Sequence, residues 1–191
     1  MRLTVISLLI AGVAGCGPTN PIRKAAEQGD ADAQYRLGSM YYRGYNKDID
    51  KDDVEAVKWY RKAAEQGLAE AQFALGYMYH SGYGVPKDDG EAAKWYLNAA
   101  EQGVSGAQCN LAQMYYKGEG VPKDSVEAYA LYLLAAANGD GLAKQLLRGR
   151  TPDQLAEAQK RATELTEKIN ANKAKHSPVH QREYVPAGSE N

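Results

Sequence analysis

A length of 191 residues suffices for one domain and is short for two. Lys and Arg number 23 against 24 Asp and Glu, so the net charge is −1 and no basic stripe is available to displace counterions from phosphates. That balance excludes nucleic acid as the partner class. The aromatic set is skewed to 14 Tyr against one Phe and two Trp, which suits a thin structure whose rings are half buried with their hydroxyls wet.

Residues 1–15 read as an address. Arg2 supplies a positive charge and residues 3–13 are apolar or small apart from Thr4 and Ser7. Roughly eleven helical residues at about 1.5 Å each cannot cross a hydrocarbon layer of about 30 Å, whereas they fit a secretory signal peptide. Val13-Ala14-Gly15-Cys16 then resembles the bacterial lipobox. That resemblance implies a lipidated Cys16 as the mature N-terminus, residues 16–20 as a linker, and acyl chains giving stable membrane attachment. Gly17 in place of Asp directs such a lipoprotein to the outer membrane, so the expected location is the bacterial envelope, periplasmic or surface-facing.

From residue 21 to 147 the chain repeats. Ala-Glu-Gln-Gly recurs at 26–29, 64–67 and 100–103, and as Ala-Ala-Asn-Gly at 136–139, so the glycines stand 38, 36 and 36 residues apart. Ala33-Gln34, Ala71-Gln72 and Ala107-Gln108 correspond, as do Met40-Tyr41, Met78-Tyr79 and Met114-Tyr115. Each block predicts two helices. The first carries Leu75, Met78 and Tyr79 on one face and stops at Gly82-Tyr83-Gly84-Val85-Pro86. The second opens with a capping box, Asp52 with Glu55, Asp88 with Glu91 and Asp124 with Glu127. It ends at the Gly of Ala-Glu-Gln-Gly, suited to a left-handed C′ position.

The pattern A-E-Q-G-x-A-x-A-Q-x-x-L-G-x-M-Y-x-x-G-x-G-V-x-K-D-x-x-E-A-x-K-W-Y resembles the Sel1-like repeat, a relative of the tetratricopeptide repeat. The resemblance implies an all-α fold, a right-handed α-solenoid of antiparallel helix pairs with the first helices lining its concave surface. The first repeat departs from the pattern, with residues 45–50 replacing Gly-Val-Pro by a loop with two extra residues.

A solenoid must be capped at its ends. Pro21 fits the first position of a short N-terminal helix with Asn20 as its cap. Thr151-Pro152 opens a helix bearing Leu155, Ala158, Ala162, Leu165 and Ile169, a single apolar stripe. The stripe is expected to cover residues 129–137 and the apolar surface that grows from Arg61-Lys62 through Leu97-Asn98 to Leu133-Leu134. The capping segment is bounded at 148–169, with a polar, disordered tail at 170–191.

No catalytic or metal constellation emerges, and no cofactor is expected. His80 stands where Tyr42 and Tyr116 stand in the other repeats; His176 and His180 lie in the tail. Cys109 takes the slot of Tyr35 and Phe73 as a small filler. The repeated acids are explained by capping, and Gly-x-Gly lacks the Lys-Ser/Thr of a phosphate loop.

What varies between repeats marks a candidate surface. Asp32, Glu70 and Gly106 correspond, as do Arg36, Ala74 and Asn110, then Ser39, Tyr77 and Gln113, then Arg43, Ser81 and Lys117. These positions fall on one face of each first helix, with Tyr77 as the natural anchor. The reading is a monomeric, membrane-anchored, non-enzymatic adaptor that binds an envelope protein or peptide. An immunity protein that neutralises a secreted toxin is the alternative, and an envelope hydrolase, β-lactamase-like, stands third.

Overall fold

The computed structural model describes residues 21–44 and 49–175. Cys16, the signal segment, Asn20, the loop at 45–48 and the tail beyond residue 175 lie outside the described residues. Among those described, the elements are helical: α1 (Pro21–Glu27), α2 (Ala31–Arg43), α3 (Asp53–Glu65), α4 (Ala69–Ser81), α5 (Asp89–Ala100), α6 (Ser105–Lys117), α7 (Ser125–Ala137), α8 (Gly141–Leu147) and α9 (Pro152–Lys175). Each of α1 to α8 packs mainly on its neighbours in sequence, and α9 folds back onto α7. This is an all-α repeat fold with a helical cap.

The helix ends follow from a few recurring residues. Gly29, Gly67, Gly103 and Gly139 have φ between 90° and 97°, the left-handed region that favours glycine. At the second of them the Gly67 amide donates to the Ala64 carbonyl and the Leu68 amide to the Ala63 carbonyl, closing a Schellman motif. Equivalent pairs of bonds recur at the other three. A turn of this kind reverses the chain without orphaning the last carbonyls, so the next helix starts at once.

The helix starts differ from the reciprocal capping box in one respect. Asp52, Asp88 and Asp124 do accept from the backbone N–H groups of the first turn. The glutamates do not reach back, because the cap amides are already taken: Asp52, Asp88 and Asp124 donate to the carbonyls of Tyr41, Tyr79 and Tyr115 in the preceding helix. Glu55 and Glu91 instead pair with Lys58 and Lys94 at 2.5 Å, and Glu127 pairs with Arg161. A reciprocal box does form at α9, where Thr151 Oγ1 accepts from the Gln154 amide and Gln154 Oε1 from the Thr151 amide.

A column of buried amides ties the repeats together. Gln34, Gln72 and Gln108 are 5%, 6% and 0% exposed. Each donates to an alanine carbonyl at the end of the helix before it, Ala26, Ala64 and Ala100 respectively, at 3.1–3.2 Å. Each also accepts from the amide that closes the following helix, from Gln66, Gln102 and Asn138. A buried amide without partners is costly; with both ends engaged, each glutamine joins three successive helices.

The cap forms as expected and runs further. Ala158, Ala162, Leu165 and Ile169 are buried in one cluster with Leu131, Leu134 and Ala135 of α7. Two ion pairs flank the seam, Arg161 with Glu127 and Lys168 with Glu101. Full burial of a Leu or Ile contributes about 1.5–3 kcal/mol and an exposed ion pair about 0–1, so the apolar stripe holds the cap and the ion pairs orient it. Leu97 stays 36% exposed at the seam's edge. The helix continues to Lys175, so residues 170–175, placed in the tail by composition, are helical. The segment is polar, and helical propagation from the docked stripe carries it past Ile169.

Candidate partner-binding face

The face built by α2, α4 and α6 carries the positions that vary between repeats. Asp32, Arg36, Arg43, Glu70, Tyr77, Gln113 and Lys117 are exposed, and Ser39, Ala74, Ser81 and Asn110 are half-buried. Gly106 belongs to the same column, but packing fixes its identity: a Cβ there would stand 3.0 Å from the Phe73 ring.

Four of these residues come together in one cleft of about 300 Å³ between α2 and α4. Ser39 and Arg43 lie on one wall with Tyr35 and Tyr42, and Ala74 and Tyr77 on the other with Phe73 and Met78; Tyr60 of α3 also lines it. The Tyr60 hydroxyl is 3.2 Å from Ser39 Oγ and donates to it, and its ring centroid is 5.7 Å from that of Tyr35. Asp32, Arg36, Glu70 and Ser81 lie on the same two helices without lining the cleft, and Asn110, Gln113 and Lys117 belong to α6.

Beside the cleft mouth three tyrosines converge. Tyr42 and Tyr77 meet edge to face at 6.4 Å, Tyr77 and Tyr83 tilt together at 5.9 Å, and Tyr42 and Tyr83 stand 6.4 Å apart. Lys51 Nζ sits over the Tyr42 and Tyr83 rings at 5.7 and 6.0 Å. Desolvation, followed by the hydrogen bond with the Tyr77 hydroxyl, pushes the Tyr42 phenol up to about 12. Burial is also the leading cause that raises Tyr60, against the opposing bond to Ser39. Both hydroxyls stay protonated; the Tyr60 proton is committed to Ser39, so toward a ligand that oxygen can only accept.

Sequence comparison of the repeats singled out Tyr77 and passed over Tyr42, Tyr60, Tyr83 and Lys51. The surplus of tyrosine was the available signal, and it named no positions. It also missed α8, where Leu142 and Leu146 continue the columns of Gly106 and Asn110 by one further repeat. Both are exposed, at 60% and 36%, so the face turns apolar toward its C-terminal end.

The remaining reactive side chains are engaged structurally. His80 Nδ1 lies 2.8 Å from Asp89 Oδ1, at the start of α5. Burial alone would raise Asp89, but His80 and Lys87 hold its carboxyl below the usual range. The half-buried Cys109 thiol is pushed up to about 12, first by burial and then by Asp140, to which it hydrogen-bonds. Among the described residues there is no group of three His, Cys, Asp or Glu that could hold a metal ion, and no helix is long and apolar enough to cross a membrane.

Comparison with protein families matches the Sel1 repeat model to residues 31–68, 69–104 and 105–140, more than half of the chain. The chain belongs to the Sel1 repeat family. The match boundaries fall at the Schellman turns, so each matched unit is one first helix and the second helix packed on it. A crystal structure of a Sel1 repeat protein from Oxalobacter formigenes is 42% identical, with a TM-score of 0.62, and the alignment covers 68% of this chain and 96% of that one. A protective antigen of uropathogenic Escherichia coli strains, c5321, displays the same repeat fold. It is 31% identical at a TM-score of 0.57, over 88% of this Sel1 repeat chain and 45% of the antigen. Helicobacter pylori cysteine-rich protein B is 25% identical at a TM-score of 0.53, over 70% and 99% of the two chains. Curated proteins gave no match. Sel1 repeat proteins typically mediate protein–protein interaction and are generally non-enzymatic adaptors.

Proposed function

We propose that this Sel1 repeat protein is a non-enzymatic adaptor of the bacterial envelope, tethered through lipid at Cys16, that captures a protein or peptide on the α2–α4–α6 face. The observation that carries the reading is the cleft of about 300 Å³ between α2 and α4. There a repeated framework of Tyr35, Tyr60 and Phe73 meets side chains particular to each repeat, Ser39, Arg43, Ala74 and Tyr77. An aromatic-lined slot with a cation on its rim suits insertion of one apolar side chain from a bound segment. The rings are already packed on one another, so little ordering opposes binding.

A photo-crosslinking amino acid at position 77, with a control at exposed Lys94 on α5, tests the face in cells. A discrete adduct from position 77 that disappears when Arg36→Glu is added supports the reading. Equal adducts from both positions, or none from 77, refute it. The tether is a separate claim, tested by palmitate labelling of the wild type and Cys16→Ala; equal labelling removes the lipid, and with it the outer-membrane location that Gly17 suggests.

A further inference from the structure

At the other end of the same face, the third repeat differs from the first two in how it treats a lysine. Lys51, Lys87 and Lys123 occupy equivalent places just before the second helices. Lys51 pairs with Asp53 at 3.5 Å and Lys87 with Asp89 at 3.2 Å. The corresponding residue of the third repeat is Ser125, so Lys123 has lost its carboxylate. It keeps the ring contact that Lys51 makes with Tyr42, its Nζ lying 5.9 Å from the centre of the Tyr116 ring, without the acid.

A second cation joins it from the turn after α8. The Arg150 guanidinium carbon lies 5.9 Å from the Tyr116 ring centre and 5.1 Å from that of Tyr129, and the two rings stand 6.2 Å apart. Its Nε is buried and makes no hydrogen bond. Among the described residues, no carboxylate lies within ion-pair distance of Lys123 or Arg150. Asp153 and Glu157 line a separate cleft with Tyr129 and neither reaches them. Two uncompensated cations therefore converge on a ring that is 40% exposed.

We propose that Tyr116, Lys123 and Arg150 form a binding site for a carboxylate of the captured partner, an acidic side chain or a chain terminus. A guanidinium laid over aromatic rings keeps its edge N–H groups free, and that planar fork matches a carboxylate. The rings displace water from one side of the cations, which strengthens their attraction for an anion above that of lysines in open solvent. The site is next to Lys117 on the variable face, and it rests on the reading of that face as a partner surface. A carboxylate is favoured over a lipid phosphate because the site continues that surface and the family acts on proteins.

The probe is N-acetyl-hexaglutamate amide, titrated into the full chain carrying Cys16→Ala and followed by backbone NMR. The expected result is a salt-sensitive shift of the Tyr116, Lys123 and Arg150 amides. Ser125→Asp, which installs the acid that the first two repeats carry, is expected to weaken binding roughly three- to tenfold, and so is Arg150→Gln. Ser125→Asp places a favourable acid in the first turn of α7, so its fold is retained and checked by circular dichroism. Unchanged affinity in Ser125→Asp, or shifts confined to other residues, would overturn the proposal. Arg150-dependent binding to phosphatidylglycerol vesicles with no response to hexaglutamate would also overturn it, assigning the patch to a lipid surface. Failure here leaves the α2–α4 cleft standing; absent crosslinking from position 77 with hexaglutamate still bound removes the cleft reading and leaves the carboxylate site.

Discussion

Gly76 lies flat against the ring of Tyr96: a Cβ on Gly76 would stand 2.7 Å from Tyr96 Cδ1. The ring is fully buried and packs on Phe73 at 5.9 Å, so it has little room to yield. Gly76→Ala is expected to destabilise the fold by about 1–3 kcal/mol, as overpacked cores do, even though alanine is the better helix former by about 1 kcal/mol. Urea denaturation of the two chains decides the matter; a stability equal to or above wild type would mean that Tyr96 moves freely.

The glutamine column predicts a different kind of cost. Gln108 is fully buried, donates to the Ala100 carbonyl and accepts from Asn138. Gln108→Leu keeps the volume and removes both bonds, leaving the Ala100 carbonyl with the Gly103 amide alone, a loss of about 0.5–1.5 kcal/mol for each bond. The damage should spread from the joint between α5, α6 and α7. Amide hydrogen exchange is therefore expected to accelerate on both sides of residue 108; acceleration restricted to α6 would argue that the column holds nothing together.

Cys109 is expected to be chemically quiet. Raising a thiol from 9.0 to about 12 lowers its thiolate fraction roughly a thousandfold at a given pH, and thiolate is the reactive form. In a Cys16→Ala chain at pH 8, iodoacetamide should label Cys109 at least a hundredfold more slowly than after denaturation. Asp140→Asn removes the neighbouring charge and should recover part of that rate. Fast labelling of the native chain contradicts the buried, acid-shadowed thiol.

Acid should loosen the second repeat through Asp89. Its carboxyl is held below the ordinary range by His80 and Lys87, so the folded state favours the ionised form. That contribution is complete above the unfolded value of about 3.9 and is lost as the pH falls through the lower folded value. Thermal unfolding followed downward from pH 5 should therefore decline less steeply below about pH 4 in Asp89→Asn than in wild type. Superimposable acid limbs in the two chains would exclude the linkage.

Much of this was legible from residue spacing. Glycines 36 or 38 residues apart located the turns, because a left-handed φ is something few other residues tolerate, and all four matching glycines adopt it. The stripe at Leu155 to Ile169 located the cap for the same reason, since a 3-4-3-4 apolar row has to be buried somewhere. The glutamates after Asp52, Asp88 and Asp124 were misread, because a capping box is a local pattern and the competing acceptors, Tyr41, Tyr79 and Tyr115, come from the preceding helix.

Sequence alone determined the repeat, the helix pairs and the family, since each depends on interactions within a block and recurs in every copy. Tertiary structure decided which tyrosines share a cleft, which helices the buried glutamines join and which second cation stands over the Tyr116 ring. Those relationships arise between groups on different helices and turns, and only packing sets their distances. Lys123 shows the difference: in sequence it matches Lys51 and Lys87, and only the fold brings Arg150 beside it over the Tyr116 ring.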